Sequence, residues 1–158
     1  MDLIGPMAVT SRTRNKYMMD IVDDYTSHPW SIPLKVKSDT FRYLKGWELA
    51  REKETGLQVG TYITNGRELK SDKMAKWLES RGIAHLFTAP YTSAHIGRVE
   101  CMHRTLMGKA RTMKTYTNLP DFLWDKLYLT ATHLTAKTIT RSLGDITPFE
   151  KWFHQRPN

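Results

Sequence analysis

Hydrophobic periodicity changes from two residues to about 3.6 along the chain, and this change limits the folds that the sequence can adopt. Residues 29–37 carry apolar side chains at alternate positions, as in a strand with one buried face: Trp30, Ile32, Leu34 and Val36. Residues 99–116 carry apolar side chains at helical spacing: Val99, Met102, Leu106, Ala110 and Met113. Strands followed by helices predict a small α/β domain.

Capping residues and turn signals mark the other predicted elements. Residues 16–24 are apolar on both faces, which predicts a strand buried on both sides of a sheet. Strands are also expected over residues 57–64 and 83–88, and residues 89–97 are predicted to be a loop. Pro33 favours an edge position for the strand over residues 29–37. Helices, with Leu49 and Leu134 among their inward-facing residues, are predicted over these spans: Ser38 to Gly56, Ser71 to Gly82, from Pro120 onward, and Thr147 to Trp152.

Length, charge and cysteine content limit the class of protein. A chain of 158 residues predicts a single domain over residues 1–158, and the single Cys101 excludes an internal disulfide. The 24 Lys and Arg residues exceed the 16 Asp and Glu residues, and the formal net charge of +8 suits a polyanionic partner. The same charge also fits a basic surface without a specific ligand. No apolar run is long enough to span a membrane, so we expect an intracellular protein without a membrane partner.

Seven short segments occur in a characteristic order between Asp2 and Trp152. They are DLIGPM, NKYMMDIVDDYT, TNGREL, APYTSAHIGRVE, RTLMGKART, LPDFLW and TPFEKW. Together they resemble the integrase catalytic core of Copia-type LTR retrotransposon polyproteins. The resemblance implies an RNase-H-like α/β fold, with a mixed central sheet flanked by helices. It also leads us to expect a degenerate core with a truncated first strand and without the flanking zinc-binding and C-terminal regions.

The resemblance further implies a metal-dependent active site. The family carries three carboxylates that hold two divalent ions, Mg²⁺ or Mn²⁺, for phosphoryl transfer on DNA. Two dications placed close together require several anionic oxygen ligands. The matching catalytic and metal-binding residues here are Asp2 and Glu100, whereas Thr64 stands at the position of the second aspartate. Thirty-five residues lie between Thr64 and Glu100, which is the family's separation.

Thr64 leads us to expect impaired catalysis, because a neutral hydroxyl is a weak ligand for magnesium. A replacement carboxylate could come from Glu68, Asp23 or Asp24. For Asp23 and Asp24 we prefer the interpretation of a hydrogen-bonded strand end. The sequence therefore leaves open whether the chain is an enzyme.

Basic residues on the long predicted helix form the candidate nucleic-acid surface. They comprise Arg98, His103, Arg104, Lys109 and Arg111. We expect His103, Arg104 and Arg111 to share a stripe with Glu100, opposite the apolar face of the helix. In the resemblance, Arg104 matches a basic residue of the family and His103 replaces an asparagine. Contacts of these residues with phosphate would be sensitive to salt and largely independent of base sequence. A solvated helix face is the alternative for each cation.

Three functional hypotheses follow. The first is an integrase-core domain that binds nucleic acid by descent, with strand transfer lost or severely reduced. The second is a non-enzymatic, co-opted DNA- or RNA-binding module, and the third is a transposon relic without a selected role. DNA is the expected partner, with RNA as the alternative. The resemblance also leads us to expect a homodimer and, if the chain is functional, a location in the nucleus.

Overall fold

The computed structural model describes residues 1–64, 71–87 and 93–157, with the backbone alone for residues 93–96. All the described strands lie before residue 88, together with two α-helices, and three α-helices follow them, as the change in periodicity predicts. The elements are β1 (Asp2–Ile4), β2 (Tyr17–Val22), β3 (Pro29–Leu34), α1 (Thr40–Thr55), β4 (Thr61–Thr64), α2 (Asp72–Ser80), β5 (Ala84–Phe87), α3 (Ser93–Thr117), α4 (Trp124–Ala136) and α5 (Pro148–Phe153).

The described strands form two small sheets. The strands β1, β2 and β3 are antiparallel with β2 in the middle, and β4 is parallel to β5. The ammonium group of Met1, which precedes β1, donates a hydrogen bond of 2.7 Å to the carbonyl oxygen of Ile63 in β4. Antiparallel and parallel pairing both occur, as expected for a mixed α/β fold, but in two sheets instead of the single predicted one. Pro33 lies in β3, at the edge of the antiparallel set, as expected for a residue without a backbone N–H.

Capping chemistry fixes several helix ends. The Ser71 hydroxyl accepts a hydrogen bond from the third residue of α2, and Gly56 ends α1 in the left-handed region at φ 70°. Thr147 and Glu150 form a reciprocal capping box at the start of α5, with Pro148 at the first helical position. These five residues confirm the boundaries that the sequence predicts there.

Three local predictions were wrong. Ser38 does not cap α1, because residues Lys37–Asp39 form a 3-10 turn and α1 begins only at Thr40. The predicted loop over residues 89–97 is helical from Ser93 onward, while residues 88–92 lie outside the described part. Leu49 and Leu134 were predicted to face inward, yet they are 43% and 48% exposed. Each lies at the rim of its helix's apolar face, where spacing alone does not determine burial.

Strand β2 is buried on both faces, and this position organises the core. Successive side chains of a strand point to opposite faces. One face of β2 presents Met19 and Ile21 to a cluster that includes Leu34, Leu44, Met74 and Leu78. The other face presents Met18 to Leu106 on α3 and to Tyr128 and Ala131 on α4. Asp20 shares this second face, so a carboxylate lies under α3 and α4.

In the described part of the chain no helix is both long enough and apolar enough to cross a membrane.

Candidate functional site

Asp2 and Asp20 lie directly opposite each other on neighbouring strands. The antiparallel register of β1 and β2 pairs Asp2 with Asp20. Side chains paired in this way lie on the same face, with Cβ atoms about 4.5–5.5 Å apart. Two ionised carboxylates at this separation repel each other, so the pair requires a nearby cation or a set of strong hydrogen-bond donors.

His103 on α3 provides that cation. Its Nδ1 atom lies 2.5 Å from Oδ2 of Asp20, and its Nε2 atom lies 3.5 Å from Oδ2 of Asp2. Burial by itself lowers the pKa of the imidazole. The contacts with Asp2 and Asp20 and their negative charges outweigh burial and raise the pKa of His103 to about 9. The ring is therefore positively charged at neutral pH.

Asp20 has two further partners besides His103. The hydroxyl of Tyr128 donates to Oδ2 of Asp20 at 2.5 Å, and the hydroxyl of Ser31 donates to Oδ1 at 2.5 Å. Ser31 is itself 2.7 Å from the hydroxyl of Thr132 on α4. Burial and the charge of Asp20 raise the pKa of the Tyr128 phenol, so this residue remains a neutral donor. Both carboxylate oxygens of Asp20 thus have hydrogen-bond partners, although the residue is only 1% exposed.

Asp2 uses both of its carboxylate oxygens within the chain. Oδ1 accepts a hydrogen bond of 2.8 Å from the backbone N–H of Leu3, and Oδ2 faces His103. Burial raises the pKa of Asp2, but the contacts with His103 and with the Leu3 N–H outweigh it and hold the pKa below its usual value. Asp2 is therefore ionised and already paired.

Thr64 and Glu100 lie in different surroundings. Thr64 ends β4, is 1% exposed, and has its hydroxyl 2.9 Å from Nε2 of His85 on β5. Glu100 is on an exposed part of α3. Two of the other carboxylates considered as replacements have partners in the described part of the chain: Asp23 contacts Thr26, and Asp24 pairs with Arg98. Oδ2 of Asp23 accepts hydrogen bonds from the N–H and the hydroxyl of Thr26 at 2.7 and 2.6 Å, which confirms the hydrogen-bonded strand end. Glu68 lies outside the described residues.

No protein-family model matches the chain. Among curated proteins, it is 32% identical over 152 residues to the retrovirus-related Pol polyprotein from transposon TNT 1-94 of Nicotiana tabacum. The aligned region covers 96% of this chain and 11% of that protein. It is 28% identical over 151 residues to the corresponding polyprotein from transposon RE1 of Arabidopsis thaliana. That aligned region covers 95% of this chain and 10% of that protein.

Over nearly its whole length the chain is homologous to a segment of Copia-type retrovirus-related Pol polyproteins. A solved structure of a simian T-cell lymphotropic virus intasome, in complex with PP2A regulatory subunit B56 gamma, superimposes with a TM-score of 0.69 over 99% of this chain and 54% of that chain, at 17% identity. The fold is therefore RNase-H-like, as the sequence predicts. The chain spans about a tenth of the length of the curated Copia-type relatives that it matches.

The side chains of the described residues do not fit the two-ion site that the resemblance to integrase cores implies. Within residues 1–64, 71–87 and 93–157, no group of three or more His, Cys, Asp or Glu side chains is placed to hold a metal ion. Asp2 is paired with His103, and the hydroxyl of Thr64 contacts His85. A two-ion site needs several free anionic oxygens that converge on one point. Asp2 and Glu100 therefore remain predictions as metal ligands.

The five predicted nucleic-acid-binding residues separate into three groups. His103 was predicted to lie on the polar stripe of α3, but it is 9% exposed and faces Asp20, so this placement was wrong. Arg98 forms an ion pair with Asp24, and Lys109 donates a hydrogen bond of 2.8 Å to the hydroxyl of Thr135. Two further cations on α3 are exposed to solvent: Arg104 and Arg111. These two are placed to contact a polyanion.

The sequence interpretation did not assign a role to Asp20, and a signal for it was present. Asp20 interrupts the strand YMMDIV, which is otherwise apolar on both faces. A charge within such a strand is buried and needs a partner. The partner is His103 on α3, which helical spacing had assigned to the polar stripe of that helix instead.

Proposed function

We propose that this chain is a nucleic-acid-binding integrase-core domain in which metal-dependent strand transfer is lost or severely reduced. The observation that carries the proposal is the replacement of metal-binding chemistry by internal contacts. Asp2 is paired with His103. The position where the family has its second aspartate is occupied by the buried Thr64, whose hydroxyl is hydrogen-bonded to His85. The homology to Copia-type Pol polyproteins supports nucleic acid as the partner.

Charge and exposure support duplex DNA as the class of ligand. The chain has a formal net charge of +8. Arg104 and Arg111 are seven residues apart on α3, which is two helical turns, so their exposed guanidinium groups follow one line along the helix. Guanidinium groups bind phosphate oxygens in a bidentate manner. Such contacts provide affinity without base specificity and without a metal ion.

Fluorescence anisotropy with a labelled DNA duplex tests this proposal. We expect binding that is unchanged by EDTA and weakens as the salt concentration rises. Replacing Arg104 and Arg111 together with Gln should reduce the slope of log K against log salt by about 2, because each lost phosphate contact removes about 0.9. A matching RNA duplex, measured in parallel, tests the alternative ligand.

The matched control is the double variant Lys73→Gln and Lys76→Gln, which removes the same charge from exposed positions on α2. The control should retain the wild-type slope if α3 forms the interface. An equal loss of affinity in both double variants would instead show a non-specific effect of net charge. Formation of joined DNA products by the wild-type chain with Mg²⁺ or Mn²⁺ would contradict the proposed loss of strand transfer.

A further inference from the structure

Three charged side chains, one each from β1, β2 and α3, share a buried contact. Both nitrogens of the His103 ring face a carboxylate oxygen, at 2.5 Å from Asp20 and at 3.5 Å from Asp2. A neutral imidazole has a proton on one nitrogen and a lone pair on the other, and the lone pair would face an anion. Only the imidazolium form has a donor on both nitrogens. The placement of the ring between two carboxylates therefore suits a cation.

The contact between His103 and Asp2 differs from an ordinary hydrogen bond. Among the described residues the Nε2 atom of His103 has no hydrogen-bond partner, although it is buried. Its distance of 3.5 Å from Asp2 is too long for a good hydrogen bond but close for two charges. Asp2 is therefore held mainly by electrostatic attraction, in the way that a counter-ion holds a carboxylate.

A divalent ion at Asp2 would compete with this cation. Mg²⁺ binds carboxylate oxygens at about 2.0–2.1 Å, so an ion on Oδ2 of Asp2 would lie within a few ångströms of the imidazolium. Like charges at such a distance repel strongly where water is excluded. His103 therefore opposes metal binding at Asp2, whichever residue occupies position 64.

We propose that His103 takes the place of a divalent cation as the counter-ion of Asp2 and Asp20, so that metal binding requires changes at both position 64 and position 103. The inference rests on the proposed function, because it gives a second and independent reason for the loss of metal chemistry. Thr64 removes one ligand, and His103 neutralises the carboxylates that remain. Restoring the aspartate at position 64 should consequently be insufficient.

Isothermal titration calorimetry with Mn²⁺ on four full-length chains tests this inference. The chains are the wild type, Thr64→Asp, His103→Asn and the double variant. We expect no saturable binding by the wild type or by either single variant at submillimolar Mn²⁺. We expect the double variant to bind at least tenfold more tightly than either single variant. Binding by Thr64→Asp alone that equals binding by the double variant would overturn the inference.

A charge-matched variant separates the role of charge from that of side-chain volume. The combination Thr64→Asp with His103→Lys keeps a cation beside Asp2, so it should bind Mn²⁺ no better than Thr64→Asp alone. Tight binding by this combination would also overturn the inference. Circular dichroism shows whether the His103→Asn chain still folds. If it does not, Asp20→Asn is added to every variant that carries a substitution at position 103, because it removes the buried charge that has lost its partner. The expected and the contradicting outcomes stay the same.

The results distinguish this inference from the proposed function. Saturable Mn²⁺ binding by the wild-type chain would overturn both, because neither Thr64 nor His103 would then prevent it. Tight binding by Thr64→Asp alone would leave the proposed function intact and overturn the inference only. The DNA affinity of the four chains, measured in EDTA, should be equal within about twofold, since His103 lies away from the exposed face with Arg104 and Arg111.

Discussion

Two buried aspartates of this chain are stabilised in different ways. Asp20 and Asp125 are each 1% exposed. Asp125, on α4, accepts hydrogen bonds from the Thr13 hydroxyl at 2.6 Å, the Asn15 amide at 2.9 Å and its neighbouring backbone N–H at 2.9 Å. These donors are all neutral. Asp20 instead shares a charged imidazolium with Asp2.

The difference teaches what each carboxylate can do. The neutral donors of Asp125 fix the loop between β1 and β2 against α4, and the charge of Asp125 affects little beyond that contact. The cation beside Asp20 also neutralises Asp2 and determines whether another cation can bind there. A buried carboxylate with neutral donors therefore stabilises one local contact. A buried carboxylate that shares a cation with a second carboxylate also affects whether that second carboxylate can bind another cation.

The largest expected effect is the loss of Asp20. Asp20→Ala leaves the buried His103 cation with only the longer contact to Asp2, and it leaves two hydroxyl donors without their acceptor. We expect the free energy of unfolding to fall by about 3–5 kcal/mol, as when one partner of a buried ion pair is removed. Asp125→Ala leaves neutral donors unpaired and should cost about 1–3 kcal/mol. Urea unfolding measures both values.

Equal losses of unfolding free energy for Asp20→Ala and Asp125→Ala would contradict the distinction between the two aspartates, because the charge of His103 would then contribute nothing beyond hydrogen bonding. A loss that is larger for Asp125→Ala would reverse it. The double variant Asp20→Ala with His103→Ala provides the control. It removes both charges and should be less destabilised than the sum of the two single variants.

The next effect is a dependence of stability on pH. The pKa of His103 is raised from 6.5 to about 9, so the folded state binds the proton more tightly than the unfolded state. This contribution is complete below pH 6.5 and is lost as the pH rises from 6.5 through about 9. Its full size is about 3 kcal/mol. Urea unfolding at pH 6 and pH 9.5 measures the change.

Met1 acts in the opposite direction in part of this range. Burial outweighs the attraction of Asp2 and Asp20 and lowers the pKa of its ammonium group, so its contribution to stability improves as the pH rises. The His103 effect is therefore the difference between the wild type and His103→Asn across the same pH range. An identical pH dependence in the two proteins would show that His103 is not the buried cation.

The sequence predicts much of the fold because the fold depends on periodicity and capping. The strands β2 and β3, the cap at Ser71 and the capping box at Thr147 follow from local patterns. The candidate site is less predictable, because it depends on register. The pairing of Asp2 with Asp20 depends on the loop between β1 and β2, which sets the register of the two strands. The position of His103 depends on how α3 packs over the sheet. Neither can be read from spacing within one element.

The smallest effects should come from neutral donors, and they should be alike at the two aspartates. Thr13→Ala removes one donor to Asp125, and Ser31→Ala removes one donor to Asp20. Each carboxylate keeps its remaining partners, so each variant should lose about 1 kcal/mol of unfolding free energy in urea. The losses should be equal at pH 6 and pH 9.5 for Thr13→Ala. For Ser31→Ala the loss should grow at pH 9.5, because Asp20 then lacks the cation as well as the hydroxyl. A loss for Ser31→Ala that does not change with pH would mean that Asp20 relies on neutral donors alone, and the distinction between the two aspartates would disappear.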